Sequence, residues 1–253
     1  LGKFVCFAHS WAWFGIALSS RVGQGFTTWL SYLAIEPYAR RYWPHTLISW
    51  SRLLHGRVRD PSVGRDSLIG CLAGSSFVLL SYLLEAAPQN WTGTDAAPPQ
   101  LPGMPDVLRG GLHIVAVALD AFWKGIWFPN MFFLLFLLFR ITFKRNWAAV
   151  IAFVLVWGVT FGTDYSSSWV SWFWSFGAAL LLAAVQIRFG LLALVLMFVS
   201  TYLITFFPAT LDRSAWWFSS GMIGPVLVLV LASYGCWVSM ASKPLFKDEI
   251  LAK

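Results

Sequence analysis

Long apolar runs separated by short charged connections dominate this chain. A helix needs about 20 predominantly apolar residues to cross a bilayer core. Runs of that order recur at 67–86, 125–143, 147–163, 170–187, 189–207 and 217–240. None shows the alternating ten-residue pattern of a membrane β-strand. The pattern therefore predicts an all-α, polytopic transmembrane bundle.

The first 37 residues are apolar but interrupted by Ser19, Ser20, Arg21, Gly23, Gln24 and Gly25. Two readings fit. One is a single long helix crossing over 15–36; the other is two short spans meeting near Arg21. The first is favoured, because an arginine at mid-membrane is costly. It brings the expected total to about seven spans.

Between 87 and 107 the pattern changes. Pro88, Pro98, Pro99, Pro102 and Pro105 predict an extended outer loop, since proline breaks helices. Beyond it, 108–124 reads as one amphipathic interfacial helix. Arg109, His113, Asp120 and Lys124 stand at offsets of 0, 4, 11 and 15, within about 60° of one another at 100° per residue. This polar stripe has two readings: a proton or ion path, or the wet edge of a helix lying in the interface. The second is favoured, because the segment directly follows an exposed loop. Pro129 is expected to bend or end the helix before the Phe-rich span.

Composition supports a membrane protein. Of 253 residues, 58% are hydrophobic and 11% charged, against about 25% charged in a soluble domain; mean hydropathy is +0.67. The distribution of charge orients the bundle. Thirteen of the 18 basic residues fall in the connections 38–66 and 140–145, at Arg188, and in the tail 241–253. With their acidic neighbours, these segments carry +8; the opposite side carries −1. The positive-inside rule makes the first set cytoplasmic and 87–107 external. The location this predicts is a bacterial inner membrane.

Candidate chemistry is sparse. Cys6, Cys71 and Cys236 lie far apart in apolar stretches and are expected to be buried free thiols. The four histidines form no metal-ligand spacing; a haem ligand within the membrane would have to be His9 or His113. No Walker A, H-E-x-x-H or G-x-S-x-G sequence occurs. We expect no catalytic residue, metal, cofactor or nucleic-acid partner. Gly70 and Gly74 form a G-x-x-x-G pair expected to pack against another helix.

The most distinctive stretch is 38–66. Arg40, Arg41, Arg52, Arg57, Arg59 and Arg65 lie beside Trp43 and Trp50, with no lysine. Guanidinium groups bind phosphate oxygens bidentately, so anionic lipid headgroups or a partner protein are the expected contacts. The plainer reading is a topology anchor. Glu36-Pro37-Tyr38, Arg40-Arg41, Trp43-Pro44, Ile48-Ser49-Trp50, Arg52-Leu53-Leu54, Gly56-Arg57 and Asp60-Pro61 with Val63-Gly64-Arg65-Asp66 resemble a segment of the C-terminal membrane region of bacterial serine/threonine protein kinases, especially those of acidobacterial type. The close match covers about 35 residues; the later spans agree only in general hydropathy. The resemblance implies a non-catalytic membrane module that accompanies a kinase domain, although no kinase motif is present in this chain. Because the sequence starts at Leu1 rather than Met, a fragment or a processed product is expected.

The expected function is a membrane-anchoring, sensing or complex-forming module, with other membrane subunits or a kinase domain as partners. Two alternatives are an accessory subunit of a respiratory or photosynthetic complex and, more weakly, a small-molecule transporter, for which no internal repeat is seen. The charge split yields a first prediction. A single cysteine at Thr94 should react with a membrane-impermeant thiol reagent once the outer membrane is opened, and one at Ser62 should not. The reverse pattern would invert the topology.

Overall fold

The computed structural model describes residues 19, 21–34, 36–38, 44–92, 104–164, 169–210 and 212–240. The described residues hold ten helices and no strand. They are α1 (residues 21–34), α2 (Pro44–Leu54), α3 (Pro61–Thr92), α4 (Met104–Val107), α5 (Gly111–Phe143), α6 (Asn146–Asp164), α7 (Trp169–Phe189), α8 (Leu191–Phe206), α9 (Phe218–Gly221) and α10 (Ile223–Met240). Four segments are long and apolar enough to cross a membrane: Pro61–Leu83, Gly111–Phe143, Trp172–Phe189 and Phe218–Met240. Asn146–Gly162 and Leu191–Phe206 are shorter apolar helices. The expected 15–36 span is described only from 19 onward, and the tail 241–253 lies outside the described residues.

Three expectations are corrected. The amphipathic segment 108–124 is not a separate element. Its residues from Gly111 onward run into 125–143 as one 33-residue helix, with Pro129 inside it. Proline removes only its own N–H, and intramembrane helices tolerate this when nearby groups compensate. The carbonyl left without its helical donor is that of Gly125, and beside it the Asn130 Nδ2 amide donates to the Ile126 carbonyl at 2.8 Å. The loop expected at 87–107 is also shorter. Helix α3 continues through Pro88 to Thr92, and Met104–Val107 forms a helical turn; residues 93–103 lie outside the described residues. Finally, α3 starts at Pro61 rather than at 67. Asp60 accepts hydrogen bonds from the Ser62 backbone N–H at 2.9 Å and from its hydroxyl at 2.6 Å. An Asp N-cap followed by proline in the first turn is a strong helix start.

Helix α8 lies at the centre. Its 16 residues are apolar on nearly every side, and ten are buried, from Leu191 to Phe206. A helix hydrophobic all round belongs inside a bundle. On one side, Val195, Val199 and Leu203 join Cys71 of α3, Leu137 of α5 and Val228 of α10 in one core cluster. On the other, Ala193, Leu194 and Met197 meet Phe132, Phe153 and Leu182 of α5, α6 and α7. An aromatic ladder fills this second side: Phe132 lies 4.2 Å from Trp157 and 5.2 Å from Phe198, centroid to centroid.

Glycine sets how closely the neighbours approach. A methyl group at Gly70 would lie 2.5 Å from the Ala193 carbonyl oxygen, and one at Gly74 would collide with the Met197 carbonyl. On the far side of α3, a methyl group at Gly64 would lie 2.6 Å from the Ser239 nitrogen of α10. Lipid tails are as apolar as leucine, so close backbone packing is a main source of helix association.

These contacts predict unequal glycine effects. Gly74→Leu should destabilise the bundle by about 1–3 kcal/mol or more, the usual cost of overpacking. Gly177→Ala, on α7 with open space around it, should be neutral or stabilising by up to about 1 kcal/mol. Thermal unfolding in detergent measures both; equal effects would refute the packing.

Candidate functional site

The basic segment folds as a cap on one end of the bundle. Helix α2 turns Thr46, Leu47 and Ser49 inward, all buried, while Leu54 is 59% exposed. The α7–α8 connection passes directly over α2. Gly190 adopts φ +86°, a left-handed conformation that favours glycine, and any Cβ there would strike the Thr46 carbonyl. The Ser49 hydroxyl donates to the carboxylate of Asp66, which is only 2% exposed. The Tyr234 hydroxyl of α10 donates to the Val58 carbonyl at 2.5 Å. Helix α2, the starts of α3 and α8 and the end of α10 therefore meet at one place.

The six sequence-selected arginines divide. Arg40 and Arg41 lie outside the described residues. Arg52 Nη1 contacts both Asp60 oxygens at 2.9 Å. Arg65 pairs with Asp66 at 3.0 Å. The Arg59 guanidinium sits 5.8 Å from the Trp237 ring centroid, a cation–π distance. Arg57 is exposed in the turn between α2 and α3, with no side-chain partner among the described residues. Arg52 thus belongs to the Asp60 cap, whereas Arg57, Arg59 and Arg65 are exposed.

The Asp60 carboxylate of this cap has an acid–base consequence. The Ser62 hydroxyl bond above all, then the Ser62 backbone N–H and Arg52, holds its carboxyl below the ordinary range, against a smaller opposing effect of burial.

The polar stripe is drawn into two places. Arg109 lies in the turn before α5 and pairs with Asp106 at 3.1 Å; His113 is exposed. Asp120 instead bridges Arg21 of α1 at 2.6 Å and Lys124 at 2.8 Å. The Lys124 ammonium lies 4.6 Å from the Phe206 ring centroid. Trp123 Nε1 donates to Gln24 Oε1 at 2.9 Å. The inner half of the stripe therefore ties α1 to α5 and α8, and Arg21, a charge that a lone span would carry at high cost, has its counter-ion here.

Among the described residues, no three of His, Cys, Asp and Glu gather closely enough to hold a metal ion. Cys71 is buried and free, and Cys236 is half-buried and free; Cys6 and His9 lie outside the described residues. Gly70 and Gly74 lie against α8 as described above. Sequence reasoning missed the Ser49–Asp66 bond, and it missed Gln186, 1% exposed inside α7, whose amide has no partner among the described residues. A glutamine in an apolar run was the available signal. No family model, curated protein or solved structure matches this chain.

The cap yields a pH prediction. Asp60→Ala should cost about 0.5–2 kcal/mol, the value of an N-cap. Because the folded-state pKa of Asp60 is depressed, its contribution is fully present above the unfolded value of about 3.9. It is lost as the pH falls through the lower folded-state value. Stability measured against pH should therefore show an acid-side loss in wild type that is smaller in Asp60→Ala. Identical acid-side slopes would refute this role.

Proposed function

We propose that this chain is a non-catalytic membrane module of seven crossings that anchors or assembles a larger protein at a bacterial inner membrane, with its basic cap in the cytoplasm. The observation that carries this reading is the cap itself. Arg57, Arg59, Arg65 and Arg188 are exposed at the end of the bundle where α2, α3, α7, α8 and α10 meet. Each basic residue beside an anionic leaflet contributes about 1 kcal/mol.

Two features support counting the shorter helices as crossings. Helix α6 has 19 residues and presents Ile151, Leu155 and Val159 outward. The 16-residue α8 spans about 24 Å and is covered at its start by α2, so protein can complete what its length lacks. The exposed apolar residues of α1, among them Phe26, Trp29 and Leu33, suit lipid contact and support the seventh. The kinase-like stretch supports a kinase domain as the partner, and the cap is the surface on which such a domain would sit.

On a native gel of detergent-solubilised membranes, the module should migrate with a kinase or with the other subunits of its assembly. Co-migration with haem or pigment would instead make it an accessory subunit of an energy-converting complex. The purified chain should not turn over ATP above a mock preparation, since phosphoryl transfer needs a phosphate cradle and metal-binding carboxylates. Changing Arg57 and Arg59 together to lysine should preserve topology but reduce co-purifying anionic lipid. Equal retention would leave these residues only an orienting role.

A further inference from the structure

Beside the cap, the bundle is not filled. A cavity of about 270 Å³ opens between α2, α3, α5, α8 and α10, lined by Trp50, Ser67, Ile126, Val195, Leu231 and Tyr234 among others. One water needs only about 10–15 Å³ of such space, and walls this apolar hold water poorly. The cavity is nevertheless not uniform. The buried indole N–H of Trp50 has no acceptor among the described residues. The Tyr234 hydroxyl holds the Val58 carbonyl, which places the turn carrying Arg57 and Arg59 at the rim. Both arginines are exposed. An apolar body, one unpaired donor and a cationic rim form an amphipathic site.

We propose that this cavity seats one acyl chain of an anionic phospholipid, with its phosphate on Arg57 and Arg59 and an ester carbonyl accepting from Trp50 Nε1. The proposal rests on the membrane reading above and extends the headgroup contact into a specific site. The chain would gain the packing contacts that an empty cavity forfeits, since lipid around the bundle is already as apolar as the cavity wall. The guanidinium pair accounts for the preference for a negative headgroup, and the ester bond satisfies a donor that is costly to leave buried and unpaired. The occupant is chosen by complementarity: a neutral apolar molecule would leave the rim unused, and a free phosphate would leave the cavity empty.

Native mass spectrometry of the full chain, purified in mild detergent, tests this. Wild type should retain one phospholipid per chain, anionic in preference. Ile126→Trp and Leu231→Trp, which fill the cavity from two different helices, should each reduce that occupancy by about tenfold or more, the scale of an overpacking penalty. Leu112→Trp, at a position 87% exposed on α5, should retain it. Trp50→Phe should weaken retention by about two- to tenfold, as for one neutral hydrogen bond. Dodecyl phosphate should displace the lipid from wild type, and inorganic phosphate should not. The arginine-to-lysine pair should alter headgroup preference while the chain still binds, which separates failure of the headgroup reading from failure of the cavity. The proposal is overturned if wild type retains no lipid, if both filled variants melt normally and retain it fully, or if inorganic phosphate displaces it as well as dodecyl phosphate does.

Discussion

The structure depends on the burial of one short helix. A helix of 16 residues spans about 24 Å, less than the roughly 30 Å of a hydrocarbon core. Alone in a bilayer, α8 would leave the unpaired backbone groups of its ends in an apolar phase, at several kcal/mol each. The bundle avoids this by enclosure. Glycines on α3 and α5 let those helices come within backbone distance of α8, the aromatic ladder of α5 and α6 fills another side, and α2 lies beneath its first turn. The features at that end follow from the same need. The left-handed Gly190 allows the chain to reverse over Thr46, and the Ser49–Asp66 bond fixes α2 to α3.

The enclosure links fold to surface. Because α2 must cover α8, the basic segment cannot be a free tail; it is held with one face inward and its turn outward. Asp60 starts α3 and collects Arg52, which leaves Arg57 and Arg59 as the outward charges of the turn between α2 and α3. The apolar gap beside Trp50 lies where α2, packed on α3, α7 and α8, faces α5 and α10 without filling the space. Charge, cap and cavity thus share one origin in the packing of a short segment against the bundle.

Much of this was legible in sequence, and the limits have physical causes. Apolar runs at 147–163 and 170–187 overlap α6 and α7 closely, because hydropathy reports what lipid and core both require. Proline misled at 88 and at 129. In water an interior proline breaks a helix, whereas at Pro129, inside the apolar span 111–143, the alternative of exposed backbone in lipid is worse; Pro88 lies beyond the apolar span that ends at Leu83, and nothing in the structure explains its place in the helix. The Asp60-Pro61 start of α3 was present in the letters as a capping signal, although hydropathy alone began the run at 67. Pairings across the chain were not legible. Ser49 with Asp66, Arg21 with Asp120 and Gln24 with Trp123 join residues whose proximity only the folded bundle creates. The selected arginines show the same limit: sequence counted six equal charges, and the fold distinguishes Arg52 from Arg57.

The central claim, that α2 seals the buried start of α8, is tested most directly by hydrogen exchange in nanodiscs. The first turns of α6 and α8 each contain backbone N–H groups without helical partners. The start of α6 is open, with Asn146 and Trp147 exposed, whereas the start of α8 is buried from Leu191 to Val195. The account predicts that amides at 191–194 exchange far more slowly than those at 146–149. Equal exchange at the two helix starts would contradict it.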